Sequence, residues 1–199
     1  MKPLLLATNN QGKVKEMQAI LAALPARLVL PSDLGLKLEV VEDGQTYAEN
    51  ATLKARAFSQ ASGLVTLADD SGLEVDALDG LPGLHSHRLL ADPNASDADR
   101  RARLLELLSG KPVPWKAHFH CTVAIIVPQD KVYYAEGDCP GEIIPQERGS
   151  NGFGYDPIFL LAWIGKTMAE LTMEEKNHLS HRALAVQAAI PLLERLLAD

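Results

Sequence analysis

The sequence has few of the residues that indicate a disulfide-bonded, zinc-stabilised or membrane protein. Its 199 residues include two cysteines, Cys121 and Cys139, with no CxxC spacing and no histidine spacing typical of zinc. No apolar run approaches the roughly 20 residues that span a bilayer, and the apolar start is too short for a secretory signal. We therefore expect a cytoplasmic protein with reduced core thiols and no membrane partner.

Positive charge is also scarce. Lys and Arg number 19 against 26 Asp and Glu, and the net charge of −7 argues against a nucleic-acid partner. An anionic ligand would therefore need cations concentrated at one place. The chain has no internal repeat, low-complexity tract or Gly/Ser linker. Its length predicts one domain, 1–199, or two closely packed lobes.

Helical and strand patterns alternate in the first half of the chain. Strands are predicted at residues 4–7, 27–30 and 64–68, with two longer strands within 116–137 that turn at 128–130. Helices are predicted at 14–24, from the capping pair Thr46 and Glu49 to 62, at 96–108, and at 179–197 with a kink at Pro191. This pattern predicts an α/β protein with a mixed sheet.

The first polar segment with possible chemistry lies between the first strand and helix. It consists of Thr8, Asn9, Asn10, Gln11, Gly12 and Lys13. Free backbone N–H groups at a helix start, beside a lysine, suit a phosphate oxygen. The glycine spacing is not that of a Walker A loop, and a plain strand-to-helix turn with polar caps explains the same residues.

A second segment, Asp69-Asp70-Ser71-Gly72, follows the apolar strand at 64–68. Ligands of α/β sheets bind at carboxyl ends of strands, and Mg²⁺ prefers one or two carboxylates plus substrate phosphates. Adjacent carboxylates point in different directions, so one is able to hold a metal while the other orients the loop. An ordinary Asp-Ser-Gly turn is the structural alternative.

Two further segments carry aromatic or basic groups. Residues 149–157 place Phe153 and Tyr155 among glycines, an arrangement that lets a backbone approach a flat ligand while a ring stacks on it. Residues 175–182 place hydrogen-bond donors before an apolar helix. Part of that polarity has a structural explanation, because Thr172 and Glu175 form another capping pattern.

Together these segments resemble the Ham1-like family of inosine triphosphate pyrophosphatases. The matching segments, in family order over nearly the whole chain, are LLLATNNQGKVKEM, ENATLKARAFS, LADDSGLEVDAL, PGLHSHR, FHCTVAI, GSNGFGYDPIF and ELTMEEKNHLSHRA. The resemblance implies a long mixed central sheet, two α/β lobes flanking an active-site cleft, and a homodimer. It also implies Mg²⁺-dependent hydrolysis of noncanonical purine nucleotides (ITP, dITP and XTP) to the monophosphate and pyrophosphate.

The resemblance also implies roles for individual residues. Thr8 to Lys13 and Lys54 would bind the triphosphate, Asp70 would hold Mg²⁺ and act as the base, and Ser71 would contact substrate. The base pocket and its recognition groups would comprise Phe153, Gly154, Tyr155, Asp156, Lys176, His181 and Arg182. A second acidic metal ligand is expected before ENATLKA, where an ungapped alignment has valine. Glu42 is the nearest substitute, and Glu49 is another candidate with a capping role.

Three other functions fit parts of the pattern. A Maf-like pyrophosphatase would act on modified pyrimidine nucleotides, but FGYDP combined with SHR favours purines. A nucleotide sensor without turnover would not need the Asp69-Asp70 pair, and a phosphosugar-binding protein would not need the Gly-Phe-Gly-Tyr loop. The sequence leaves open whether His85, His87 and Arg88 contact substrate or shape a loop.

Overall fold

The apolar segment at the start of the chain forms the first strand of a mixed sheet in the computed structural model, which describes residues 1–129 and 131–198. The strands are β1 (Pro3–Leu6), β2 (Arg27–Val29), β3 (Val65–Val75), β4 (Pro82–Gly83), β5 (Trp115–Ile126), β6 (Val132–Ile143), β7 (Phe159–Leu161) and β8 (Lys166–Thr167). The α-helices are α1 (Gln11–Ile20), α2 (Tyr47–Ser62), α3 (Asp97–Leu108), α4 (Met173–Leu179) and α5 (His181–Leu197).

The sheet combines parallel and antiparallel pairs. Its strand order is β2-β1-β3-β5-β6-β7-β8, and β4 pairs with β3. Strand β1 runs parallel to β2 and β3, whereas the β3–β4, β6–β7 and β7–β8 pairs are antiparallel. The predicted α/β fold with a mixed sheet is confirmed.

The contacts of the chain divide it into two compact units. The first unit comprises Met1–Asp70, Cys121–Gly137 and the C-terminal segment from Arg182, and the second comprises Ser71–His120 and Asp138–His181. The active-site cleft that the family resemblance implies stays a prediction.

The first unit buries both faces of its strands. Leu4 and Leu6 pack in one apolar cluster with residues of α1 and α5, whereas Leu5 and Ala7 pack in another with residues of α2. This division follows from the two-residue period of a strand, which sends successive side chains to opposite faces. Cys121 belongs to the first of these clusters and is a buried free thiol, as the sequence predicts.

The second unit has its own core. Leu104 and Leu108 of α3 pack with Leu73 and Val75 of β3, with Phe159 of β7 and with other apolar residues of β5 and β6. Across residues 1–129 and 131–198, no helix combines the length and apolar character needed to cross a membrane.

Helix ends agree best with the sequence-based predictions. Helix α2 begins after Thr46, whose side chain accepts a hydrogen bond from the Glu49 N–H, and ends at Gly63 in the left-handed conformation. Helix α3 begins after Ser96, which forms a capping box with Asp99. Because such caps satisfy backbone groups within a few residues, they can be recognised from local sequence.

Two predicted strand ends are wrong by several residues. Strand β3 does not end at residue 68 but continues through Asp69 and Asp70 to Val75, because residues 73–75 pair and pack as a strand. The second long strand extends past residue 137 to Ile143. The predicted C-terminal helix at 179–197 is confirmed as α5, which begins at His181 after Ser180 and contains Pro191, whereas α4 precedes it. The predicted 128–130 turn includes Asp130, which lies outside the described residues.

Candidate active site

The residues predicted to bind phosphate and metal meet in the first unit. We call this set the lysine–carboxylate cluster, and it contains Lys13, Glu16, Glu42, Asn50, Lys54, Asp69, Asp70 and Arg182. Its members come from α1, the segment before α2, α2 itself, β3 and α5. The residues predicted to bind the base lie in the second unit, apart from Arg182.

The segment predicted to bind phosphate lies at the start of α1, but two of its backbone N–H groups already have a partner. Asn10 caps α1, and its side-chain oxygen accepts from the N–H groups of Gly12 and Lys13 at 2.9 and 3.1 Å. These two N–H groups are therefore engaged rather than free. Asn9, Asn10 and Gln11 are exposed, and the Lys13 side chain is largely buried.

Asp69 is the central carboxylate of the cluster. Its Oδ2 lies 3.0 Å from Lys13 Nζ and 3.0 Å from Arg182 Nε, and Arg182 Nη1 lies 2.6 Å from Glu16 Oε2. Burial alone would raise the pKa of Asp69, but Lys13, Arg182 and Lys54 hold it well below its ordinary value. Asp69 is therefore a buried anion that ties α1, β3 and α5 together.

Arg182 accordingly has partners within the protein. Its side chain is 2% exposed, and burial alone would lower its pKa, but Asp69 and Glu16 raise that pKa above its ordinary value. The structure thus gives Arg182 a role in orienting Asp69, and its contact with substrate stays a prediction.

Lys54 contacts the predicted metal ligand Glu42 and the backbone of Asp69. Its Nζ lies 2.9 Å from Glu42 Oε1 and donates to the Asp69 carbonyl oxygen at 3.0 Å. Burial alone would lower the pKa of Lys54, but the charges of Asp69, Glu42 and Asp70 raise it above its ordinary value. Lys54 therefore stays protonated near neutral pH and supplies a fixed positive charge.

Asp70 is held by a residue that the sequence analysis did not select. Asn50 Nδ2 donates to Asp70 Oδ2 at 3.0 Å, while Asn50 Oδ1 accepts from the Gly44 N–H at 2.8 Å. Asn50 is 1% exposed. Burial raises the pKa of Asp70, an effect that Lys54 and the Asn50 hydrogen bond oppose. Asn50 lies in the matched ENATLKA segment, which was the available signal.

Two observations indicate that the cluster could hold a magnesium ion. Asp70 and Glu42 are close enough to interact electrostatically, and Mg²⁺ prefers one or two such carboxylates. Asp69 Oδ1 is buried without a hydrogen-bond partner among the described residues, as expected beside a bound ion or water. Glu49 instead accepts from the Gln45 N–H at 2.6 Å, a capping role. No group of three or more His, Cys, Asp or Glu ligands occurs within residues 1–129 and 131–198.

In the second unit, the predicted base-binding residues lie in what we call the aromatic loop, residues 149–156. Asp156 Oδ2 accepts from the Phe153 N–H at 2.9 Å and from Lys176 Nζ at 2.6 Å. Lys176 Nζ also lies 4.8 Å from the centre of the Phe153 ring. Both charged side chains are nearly buried, so Asp156 and Lys176 fix the loop around a half-buried Phe153.

Other predicted residues of the second unit are positioned as follows. The buried His181 ring stacks on Phe119 with centroids 4.6 Å apart. Tyr155 is buried, and its hydroxyl donates to the Ser86 carbonyl at 2.8 Å. Ser71 is half-buried in β3, whereas His85, His87 and Arg88 are exposed. The His87 carbonyl accepts from Arg100 Nε, which indicates a structural role for that backbone segment.

Comparisons with known proteins agree with this arrangement of motifs. A model of the Ham1 family matches residues 4–192. A dITP/XTP pyrophosphatase of Desulforamulus reducens is 45% identical over 194 residues, covering 97% of this chain and 96% of that protein. A second, from Geobacter sulfurreducens, is 46% identical over 187 residues and covers 94% of each.

Solved structures give the same result. A Ham1 protein from Coxiella burnetii has a TM-score of 0.88 at 38% identity, covering 98% of this chain and 100% of that one. A nucleoside-triphosphatase, or dITP/XTP pyrophosphatase, from Mycobacterium abscessus has a TM-score of 0.71 at 37% identity, covering 99% and 100%.

Proposed function

Because this chain belongs to the Ham1 family, we propose that it hydrolyses noncanonical purine nucleoside triphosphates (ITP, dITP and XTP) to the monophosphate and pyrophosphate. The relatives named dITP/XTP pyrophosphatase support this substrate class over the modified pyrimidines of a Maf-like enzyme or a phosphosugar. The observation that carries the proposal is Asp70, half-buried among Lys54, Glu42 and Asn50.

The lysine–carboxylate cluster has the groups that phosphoryl transfer needs. This chemistry depends mainly on positioning and charge neutralisation, with little covalent assistance. Lys13 and Lys54 bind the triphosphate in the proposed reaction, and Thr8 to Gly12 add polar contacts at the start of α1. Asp70 and Glu42 hold Mg²⁺, which when bound neutralises phosphate charge and lowers the pKa of coordinated water.

Asp70 acts as the general base in this proposal. Water attacks the α-phosphorus, Asp70 accepts its proton, and the bond from that phosphorus to the bridging oxygen breaks to release pyrophosphate. Asn50 occupies Oδ2 of the carboxylate, which fixes its orientation during the proton transfer. Burial raises the pKa of Asp70 in the protein without ligand, which makes the carboxylate a stronger base.

The aromatic loop supplies the proposed base site. Phe153 stacks on the purine, and Lys176 and His181 supply donors near it. Inosine and xanthosine present a 6-oxo acceptor where adenine presents an amino donor, so a donor-lined pocket rejects adenine by leaving polar groups unpaired. The N–H of Phe153 is already bonded to Asp156, so side-chain donors contribute more than that backbone group.

A homodimer acting in the cytoplasm completes the proposal. The resemblance to the family supports both parts. Light scattering tests the dimer, because the 21.5 kDa chain then has twice that mass in solution. A monomeric mass contradicts it.

The experiment that tests the function is pyrophosphate release from ITP, XTP, GTP and ATP, with and without Mg²⁺. We expect metal-dependent turnover of ITP and XTP, weak turnover of ATP, and loss of turnover in Asp70→Asn. Asp76→Asn, a change of an exposed aspartate outside the cluster, is the matched control and keeps activity. Release of single phosphates contradicts the bond assignment, and tight ITP binding without turnover indicates a sensor.

A further inference from the structure

Helix α3 contacts the aromatic loop through two side chains on one face. Asp97 Oδ2 accepts from the Gly154 N–H at 2.8 Å, and Arg101 Nη1 donates to the Gly154 carbonyl at 2.8 Å. Residues four apart on a helix lie on the same face, so Asp97 and Arg101 reach the same segment of chain. Both peptide groups that flank Gly154 are thereby hydrogen-bonded to one helix.

The two side chains are themselves fixed by further contacts. Arg101 forms a two-point ion pair with Glu147, through Nε at 2.7 Å and Nη2 at 3.1 Å. The other oxygen of Asp97 accepts from Arg100 Nη1 at 2.9 Å, and Arg100 is buried. A planar guanidinium bound at two points has little freedom, so the pair holds Gly154 in a defined position.

These hydrogen bonds matter because Gly154 has no side chain of its own to pack against the protein. The residue has a φ of +62°, and no atom lies within 4 Å of the position where its Cβ would be. Gly154 directly follows Phe153 and precedes Tyr155, the two aromatic residues of the loop. Tyr155 packs in the core on one side of Gly154, and Asp97 and Arg101 add polar contacts from α3 that position the backbone on the Phe153 side.

We propose that Asp97 and Arg101 are positioning residues that determine base specificity, because they fix the aromatic loop in the conformation that holds Phe153 for stacking on a purine. This inference rests on the proposed function, in which Phe153 contacts the base. Neither residue lies in a segment that carries the family resemblance, and both belong to the second unit.

The test compares the binding of one ligand that contains a purine base with the binding of one that contains none. Calorimetry compares IMP with inorganic pyrophosphate for the wild type, Asp97→Ala and Arg101→Met. Loss of either side chain leaves a backbone group of the loop without its partner, and we expect the Kd for IMP to rise about tenfold. We expect the Kd for pyrophosphate, which has no base, to stay within about twofold.

Two control variants separate positioning from general loss of structure. Arg103→Met removes an arginine of the same helix that is 41% exposed and pairs along the helix with Glu106, so IMP binding stays at the wild-type value. Asp97→Asn keeps an oxygen acceptor for the Gly154 N–H and restores most of the IMP affinity. In turnover, Arg101→Met lowers the ITP-to-ATP ratio of kcat/KM by about tenfold.

The outcomes distinguish this inference from the proposed function. Equal weakening of IMP and pyrophosphate, or unchanged IMP binding in both variants, overturns the positioning role. A wild-type protein that binds IMP but releases no pyrophosphate from ITP overturns the proposed reaction, while the binding comparison still tests Asp97 and Arg101. Thermal unfolding of each variant verifies that the protein compared is folded.

Discussion

Asp69 shows how a single residue can combine structural and electrostatic roles. It is fully buried, and its carboxylate contacts Lys13 and Arg182, which also binds Glu16. A buried ion pair adds little stability compared with a well-packed apolar group, but removal of one partner leaves an uncompensated charge. Asp69 is therefore more important for what it neutralises than for the energy of any one contact.

Substitution of Asp69 should destabilise the protein strongly. Asp69→Asn keeps the shape but leaves Lys13 and Arg182 with less negative charge, and we expect a loss of about 3–5 kcal/mol in the free energy of unfolding. Urea denaturation measures this value. The control Asp138→Asn changes a carboxylate that is 61% exposed and should alter stability by less than about 0.5 kcal/mol. Similar losses for both variants would contradict the assignment.

Asn50 gives a second prediction at this scale. Asn50→Leu conserves volume but removes the donor to Asp70 and the acceptor for the Gly44 N–H. We expect kcat for ITP to fall by about tenfold or more with little change in KM, because the carboxylate loses its orientation. Steady-state kinetics measure both parameters. The same substitution at exposed Asn94 should leave them unchanged, and an unchanged kcat in Asn50→Leu would disprove the positioning role.

At the scale of elements, the aromatic loop needs a glycine at position 152, because a side chain there would collide with Asp156. Gly152 has a φ of +76°, and a Cβ there would overlap the Asp156 carboxylate. That carboxylate binds the Phe153 N–H and Lys176, so the glycine allows the loop to close on it. The requirement at Gly152 is thus one of space as well as of backbone conformation.

Gly152→Ala should therefore impair the loop more than backbone strain alone explains. We expect KM for ITP to rise about tenfold, because displacement of Asp156 releases Phe153. Gly110→Ala is the matched control, since Gly110 has a φ of +80° with no atom within 4 Å of the added Cβ. It should cost about 1–2 kcal/mol of stability and leave KM unchanged. Equal KM values for the two variants would argue against the steric explanation.

Elements differ in how well the sequence predicts them. The starts of α2 and α3 follow from Thr46 and Ser96, because a cap is a local interaction. The continuation of β3 through Asp69 was not predictable from polarity, since two acidic residues are typical of a turn. Asp69 can occupy a buried strand position because Lys13 and Arg182 neutralise its charge, and both lie far from it in the sequence.

For the whole molecule, the sequence identifies many site residues but not how they pair. Lys13, Lys54 and Asp70 are recognisable from their motifs, and the structure brings them together with Glu42, the substitute ligand. Motifs give no register between distant segments, so neither the Arg182–Asp69 pair nor the contacts of α3 with Gly154 could be derived. Such pairings arise only when the chain is folded.

The net charge leads to a prediction for the molecule as a whole. A chain of net charge −7 repels polyanions at long range, so we expect no binding of a short labelled DNA duplex at about 0.1 M salt. Fluorescence anisotropy measures this directly. Binding that weakens steeply with added salt would reveal a basic surface and contradict the prediction.

The lysine–carboxylate cluster also bears on product inhibition. Lys13 is already paired with Asp69, and Lys54 with Glu42. An anion that binds these lysines must therefore compete with the two carboxylates. A highly charged triphosphate wins this competition more readily than orthophosphate or a nucleoside monophosphate. In the proposed reaction, Asp69 and Glu42 re-form their ion pairs with Lys13 and Lys54 after hydrolysis, and this favours release of the nucleoside monophosphate.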